Sequence, residues 1–296
     1  MRFGGHESFA VREGWLSRGL ELLCDSPALL DDEFSEDHLG VGRNMAKSVC
    51  HWLSACGLAE QSGKTEARLS PSKFGVLVRK KDPHLLDLGT WWMLHINLVT
   101  NPEQAFSWNW FFNQWGLQRF DRAPCLEALK RHAATKLSRQ PSLRTIDRDL
   151  ATLLQSYARP IPAKIDDPED SSESPFQDLG LVYYHSASGY FQLSLDPKPI
   201  SSGLFGYSIC KMPRSVGRSE LTITELERSE SGPGRCFMLR GDDIYDLLQQ
   251  FEQESDRAFA LRSQAGERGV KFDSRRQALD WAKAHYASVE VMQDAG

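Results

Sequence analysis

The chain has 296 residues, 41% of them hydrophobic, with eight Trp and fifteen Phe, which is enough apolar material for two or three cores. No run of eighteen apolar residues and no charged-then-apolar leader is evident, so a soluble cytoplasmic protein without a membrane span is expected. The formal charge of −5 excludes a uniformly basic nucleic-acid binder, and any such contact must come from a local basic stripe.

The N-terminus reads Phe3-Gly4-Gly5-His6-Glu7-Ser8-Phe9. Two glycines permit a tight bend before His6 and Glu7. A His beside a Glu suits acid–base work or a metal-ligand pair, provided a bent backbone makes the two converge. The plainer alternative is that Glu7 caps or pairs with Arg12 and His6 bonds a carbonyl. A helix follows through about Leu23, with Trp15, Leu16, Gly19, Leu20 and Leu23 inward. The segment 25–38 is acidic and reads as a loop with a short helix.

The stretch 42–83 is the most informative. Met45, Val49, Trp52, Leu53 and Cys56 form one face of a helix, and Asn44, Lys47, Ser48 and His51 the other. Arg43 stands at its start and Gly57 ends it. A two-stranded ribbon is predicted next, Leu58 to Gln61 and Thr65 to Leu69, turning at Ser62-Gly63. Helix plus ribbon is the layout of a winged helix-turn-helix, whose second helix enters the major groove. From Arg43 to Lys81 there are eight Lys or Arg against two acids, Glu60 and Glu66. In that reading Asn44 pairs with adenine and Arg43 or Lys47 with guanine, His51 shares their face, and Lys64, Arg68 and Lys73 hold phosphates. A solvated amphipathic helix is the alternative.

Leu85 to Val99 is apolar on nearly every side and too short for a span, hence a buried central helix, with His95 a satisfied core histidine. Ala105 to Leu117 has six aromatics in thirteen residues. It reads as a seam between domains, or as a docking belt of Trp108, Trp110, Phe111 and Trp115. Cys125 to Leu137 and Leu143 to Tyr157 are predicted helices, the second N-capped by Ser142 and exposing Arg144, Asp147 and Arg148. With a hairpin over 179–195 they suggest a second winged helix, separated from it by the proline-rich acidic linker 160–175. Asp147 and Asp149 are two apart on a helix, so their side chains diverge.

Strands are predicted at Phe205 to Cys210, Leu221 to Ile223 and Arg235 to Leu239. Helices are predicted from Asp242 through Phe259 and from Ser274 to about Tyr286, with a turn and short strand between. The six cysteines form no C-x-x-C pair and read as core thiols. The expected fold is α+β and mainly helical, with domains at 1–117, 118–212 and 213–296, the last a small α/β region.

FGGHESFAVREGWLSRGL, GRNM with the following WL and GL, and DPHLLDLGTWWMLHINL together resemble the SspB-type family of bacterial DNA phosphorothioation proteins. SLRTIDRD at 142–149, LGLV at 179–182 and FGYSI at 205–209 extend the resemblance over most of the chain. It implies a protein that binds double-stranded DNA and nicks one strand before sulfur enters the backbone. The implied partners are a cysteine desulfurase, an ATPase and a sulfur-transfer enzyme; a homodimer is left open. Nicking ordinarily employs one or two metal ions, here Mg2+ or Mn2+. The sequence contains no H-N-H, H-x-K or Gly-rich phosphate loop. The catalytic candidates are therefore scattered residues, His6 and Glu7 first, then Asp147 and Asp149. A regulator that binds without cleaving, or a scaffold, is the alternative.

Overall fold

The structure, a computed structural model, describes residues 3–30, 35–62, 68–162, 174–254, 258–264 and 266–294. It is α+β and mainly helical, in two compact units, Met1–Ser194 and Leu195–Gly296. The boundaries expected at 117 and 212 do not coincide with this division. A buried carboxylate, Asp149, joins residues on both sides of 117, as described below.

In the first unit, α1 (Trp15–Asp25), α2 (Ser35–Leu39) and α3 (Arg43–Ala55) precede an antiparallel ribbon of β1 (Ala59–Ser62) and β2 (Arg68–Pro71). Gly57 ends α3 at φ 76°, a left-handed conformation that only glycine adopts without strain. Helix α4 (Lys73–Lys81) follows at once, capped by the Ser72 hydroxyl, which accepts from the Gly75 amide at 2.9 Å. Lys73 therefore begins a helix and is not part of the ribbon.

α5 (Leu88–Val99) is buried on every side, as its composition predicts, and His95 Nδ1 bonds the Tyr157 hydroxyl at 2.8 Å. α6 (Phe106–Gln114) lies beside it. Its aromatics are core: Trp108, Trp110, Phe111 and Trp115 are all buried. They are neither a seam between domains nor an exposed docking belt. Such density of rings needs polar relief, and Asn109 and Asn113 both donate to the Val99 carbonyl at the end of α5.

After β3 (Arg119–Phe120) come α7 (Arg122–Lys136) and α8 (Leu143–Tyr157), the latter with the bounds its pattern predicts. Ser142 caps α8, accepting from the Thr145 amide at 3.1 Å. β4 (Ala158–Ile161), β5 (Val182–His185) and β6 (Tyr190–Leu193) complete a four-stranded sheet in the order β3-β6-β5-β4. The hairpin over 179–195 is thus the middle of a sheet, not a free two-stranded ribbon. Much of the linker 160–175 lies outside the described residues.

In the second unit, α9 (Ser202–Lys211) replaces the strand expected at Phe205 to Cys210. An apolar run of that length does not distinguish strand from helix. Here the Ser201 cap, which accepts from the Leu204 amide at 3.3 Å, and close packing at Gly203 and Gly206 favour helix. β7 (Glu220–Thr222) and α10 (Ile223–Arg228) follow, joined by a capping box between Thr222 and Glu225. The strand expected at Arg235 to Leu239 is instead the short helix α11 (Pro233–Cys236) and its exit. Pro233 pre-sets the first turn, and a Cβ on Gly234 would lie 2.4 Å from the Glu227 carbonyl oxygen.

α12 (Gly241–Glu252) ends earlier than expected, because β8 (Phe259–Gln264) and β9 (Glu267–Phe272) form a full hairpin in a β7-β9-β8 sheet. α13 (Ala278–Asp294) closes the unit. No helix among the described residues is long and apolar enough to cross a membrane.

Cys56, Cys125 and Cys236 are buried, and burial pushes the Cys125 and Cys236 thiols up to about 12. All three should react with a thiol reagent at pH 8 orders of magnitude more slowly than in the denatured chain, where thiols titrate near ~8.5. Mass spectrometry of native labelling checks this. Rapid modification of Cys125 would contradict the packing around α7.

Candidate functional site

The glycine bend before His6 forms a compact turn. Gly4 has φ 71°, and Glu7 and Ser8 also occupy the left-handed region at 48° and 67°. The Glu7 amide donates to the Gly4 carbonyl at 3.2 Å, and the Phe9 amide to the His6 carbonyl at 2.8 Å. This turn sends the His6 ring inward and leaves Glu7 exposed. The Ser8 amide donates to His6 Nδ1 at 3.0 Å, which makes Nδ1 an acceptor and leaves the proton on Nε2.

His6 Nε2 then donates to Asp149 Oδ1 at 2.9 Å. The Gly4 amide donates to the same oxygen at 2.8 Å, and Ser107 Oγ donates to Oδ2 at 3.0 Å. One carboxylate on α8 therefore ties together the N-terminal turn and the start of α6. His6 is 2% exposed, Asp149 1% and Ser107 0%. The ring of His6 is 6.0 Å from that of Trp52, stacked, and meets Trp108 edge-on at 5.5 Å. Trp52 Nε1 donates to the Phe9 carbonyl at 3.1 Å, fixing the far side of the turn.

Two of the four catalytic candidates are thus brought together, in a pairing that sequence spacing does not suggest. His6 and Glu7 diverge, and His6 meets Asp149 across 143 positions. Asp147 faces away, bonded to Arg122 of α7 at 2.6 Å and about 40% exposed. Glu7 does not pair with Arg12, whose guanidinium lies over Trp15. In the described conformation the His6–Asp149 pair is sealed from a phosphodiester and acts as a cross-tie. Ser107 completes it, and its only sequence signal is a small hydroxyl set among large aromatics.

These residues do not fit a Mg2+ or Mn2+ site. Asp149 has both oxygens engaged by protein donors, Asp147 is paired with a cation, and Glu7 stands apart from both. Among the described residues no group of three or more His, Cys, Asp or Glu is placed to hold a metal ion.

The expected DNA-facing side of α3 divides. Arg43, Asn44 and Lys47 are exposed, whereas Ser48 and His51 are buried, with the His51 ring 6.1 Å from His6. His51 is therefore core and not a base-reading residue. The reason is that the His6 turn covers the C-terminal half of that face. Arg43 Nε donates to Glu36 at 3.0 Å. The backbone amide and this guanidinium hold the Glu36 carboxyl below its usual range. Arg68 and Lys73 are exposed, and Lys64 lies outside the described residues. On α8, Arg144 and Arg148 are exposed one turn apart. α3 and α8 flank the same turn: His51 lies beside His6, and a Cβ on Gly4 would sit 3.7 Å from Thr145 Cγ2.

A family model described as a protein of unknown function, DUF4007, matches residues 3–286. No curated protein matches the chain. Among solved structures, an SspB crystal structure superposes with a TM-score of 0.81 at 23% identity, covering 99% of this chain and 96% of that one. A magnesium ion-bound SspB crystal structure superposes with a TM-score of 0.80 at 21% identity, covering 98% and 96%. Both likenesses establish a shared fold.

Proposed function

The chain belongs to the DUF4007 family and has the fold of SspB, and from that premise we propose that it is a duplex-DNA-binding protein of a bacterial phosphorothioation system that nicks one strand. The observation that supports DNA binding best is the division of α3. Its buried face locks the helix into the core, while Arg43, Asn44 and Lys47 of its first two turns remain in solvent. A helix that reads the major groove uses its N-terminal residues in this way. Arg68 and Lys73 fit phosphate contacts beside it, and Arg144 and Arg148 fit a second contact from α8.

Nicking rests on the family resemblance and on the magnesium ion bound by one structural neighbour. In this reading the partners are a cysteine desulfurase, an ATPase and a sulfur-transfer enzyme.

The double variant Arg43→Ala, Lys47→Ala should weaken binding to a short duplex and lower the slope of log K against log salt by about two. Fluorescence anisotropy across a salt series measures both. An unchanged slope would remove α3 from the DNA surface. A supercoiled-plasmid assay with Mg2+, Mn2+ or EDTA tests nicking: open circles formed only with metal support it. A plasmid that is bound yet stays supercoiled in every lane favours a regulator.

A further inference from the structure

The outer face of the four-stranded sheet has no role in the reading above. Register places Arg119, Gln192, Tyr183 and Arg159 in one row across β3, β6, β5 and β4. Tyr190, His185 and Ile161 form the next row. The opposite face carries Phe120 and Leu193, which are buried, with the half-buried Tyr184 and Phe191 packed against each other and Phe191 against Phe120, as strand alternation requires.

On the outer face Arg119 and Arg159 are exposed, and Tyr183, His185, Tyr190 and Gln192 are half-buried. The Arg119 guanidinium lies 3.6 Å from the Tyr190 ring centre. The His185 ring stacks on Tyr190 at 4.3 Å and 19°. His185 Nε2 and Gln192 Oε1, 3.1 Å apart, hold that imidazole in place. The paired residues of both rows contain no Asp or Glu, and the exposed Asp121, the residue after β3, stands at the end of the second row.

We propose that this sheet face binds an unpaired DNA strand. Two features select that occupant: ring side chains set side by side, Tyr183 and the His185 ring stacked on the Arg119-capped Tyr190, and two arginines about 14 Å apart across three strand spacings, with no carboxylate among the paired residues of either row. Successive bases stack on such rings whatever their sequence, while arginines flanking them take the phosphates. A four-stranded sheet stacks about two or three bases in the same way in a common RNA-binding module. The choice of DNA over RNA rests on the function proposed above, where nicking would free a strand end. The stacking surface itself does not depend on it.

The test uses the full chain and a labelled oligo-dT 15-mer, which forms no duplex, in parallel with the short duplex. The oligonucleotide should bind, and Tyr183→Ala should weaken it roughly 5- to 100-fold, as expected for one lost stack. Tyr183→Phe should bind like the parent. Arg119→Gln with Arg159→Gln should lower the single-strand salt slope by about 1.4. Duplex binding should survive these changes, and Arg43→Ala with Lys47→Ala should spare oligo-dT. Failure of the parent to bind oligo-dT, or binding indifferent to Tyr183 and both arginines, would overturn the inference even if duplex binding holds. Oligo-dT binding without duplex binding would keep the sheet face and discard the α3 reading. Tighter binding of oligo-U than oligo-dT would overturn the assignment to DNA.

Discussion

Asp149→Ala is expected to destabilise the first unit by roughly 3–5 kcal/mol, because it removes the common acceptor of three donors, two of them fully buried, and each buried donor left unsatisfied costs about 1–3 kcal/mol. The Gly4 amide, His6 Nε2 and Ser107 Oγ all lose their partner at once. Seven of the eight tryptophans fall in that unit, so Trp fluorescence during urea unfolding reports on it. Asp149→Asn should cost far less, about 1 kcal/mol. Its amide oxygen can still accept from Gly4 and His6, and the Ser107 hydroxyl can rotate to accept from the new NH2. The pair of variants separates a structural role from a chemical one. A cross-tie predicts that Asp149→Asn keeps both stability and any nicking. An Asp149→Asn protein that is as stable as the parent but loses nicking would show that the buried pair takes part in chemistry after all.

Gly206→Ala is expected to damage the second unit by an amount at or above the upper end of the usual overpacking range, about 3 kcal/mol. A Cβ there would lie 2.2 Å from Cδ2 of Trp281, inside the ring's own van der Waals envelope. Trp281 cannot retreat, since it is 1% exposed and stacked on Phe259 at 5.2 Å. Calorimetric unfolding should show the loss, and Trp281→Leu added to Gly206→Ala should restore part of it, since contacting residues couple. Equal stability of Gly206→Ala and the parent would mean that α9 and α13 do not pack as closely as described.

Legibility from sequence followed the physics of each segment. Helix α8 has its predicted bounds because a Ser cap and a strong 3.6-residue apolar repeat agree. α5 was plain from composition alone, since a helix apolar all round must be buried. The run at 205–210 was not, because a six-residue, largely apolar run suits strand and helix alike. His51 was misplaced for a related reason. Periodicity separates two faces of a helix, but it does not say that a distant turn covers half of the polar one.

The candidate site shows the same division. Residue chemistry alone put forward His6, Glu7, Asp147 and Asp149, of which the structure brings together only His6 and Asp149, and local pattern alone put Arg43, Asn44 and Lys47 at the start of an amphipathic helix; the structure leaves these three in solvent. Which carboxylate meets His6 was decided only by tertiary packing. Their contact spans 143 residues and needs three separate elements to converge on one buried oxygen pair, and no local rule carries information over that distance. The sheet face of Arg119, Tyr183, His185 and Tyr190 is likewise a product of register. Its residues are ordinary in four short strands and become a surface only when those strands are set side by side.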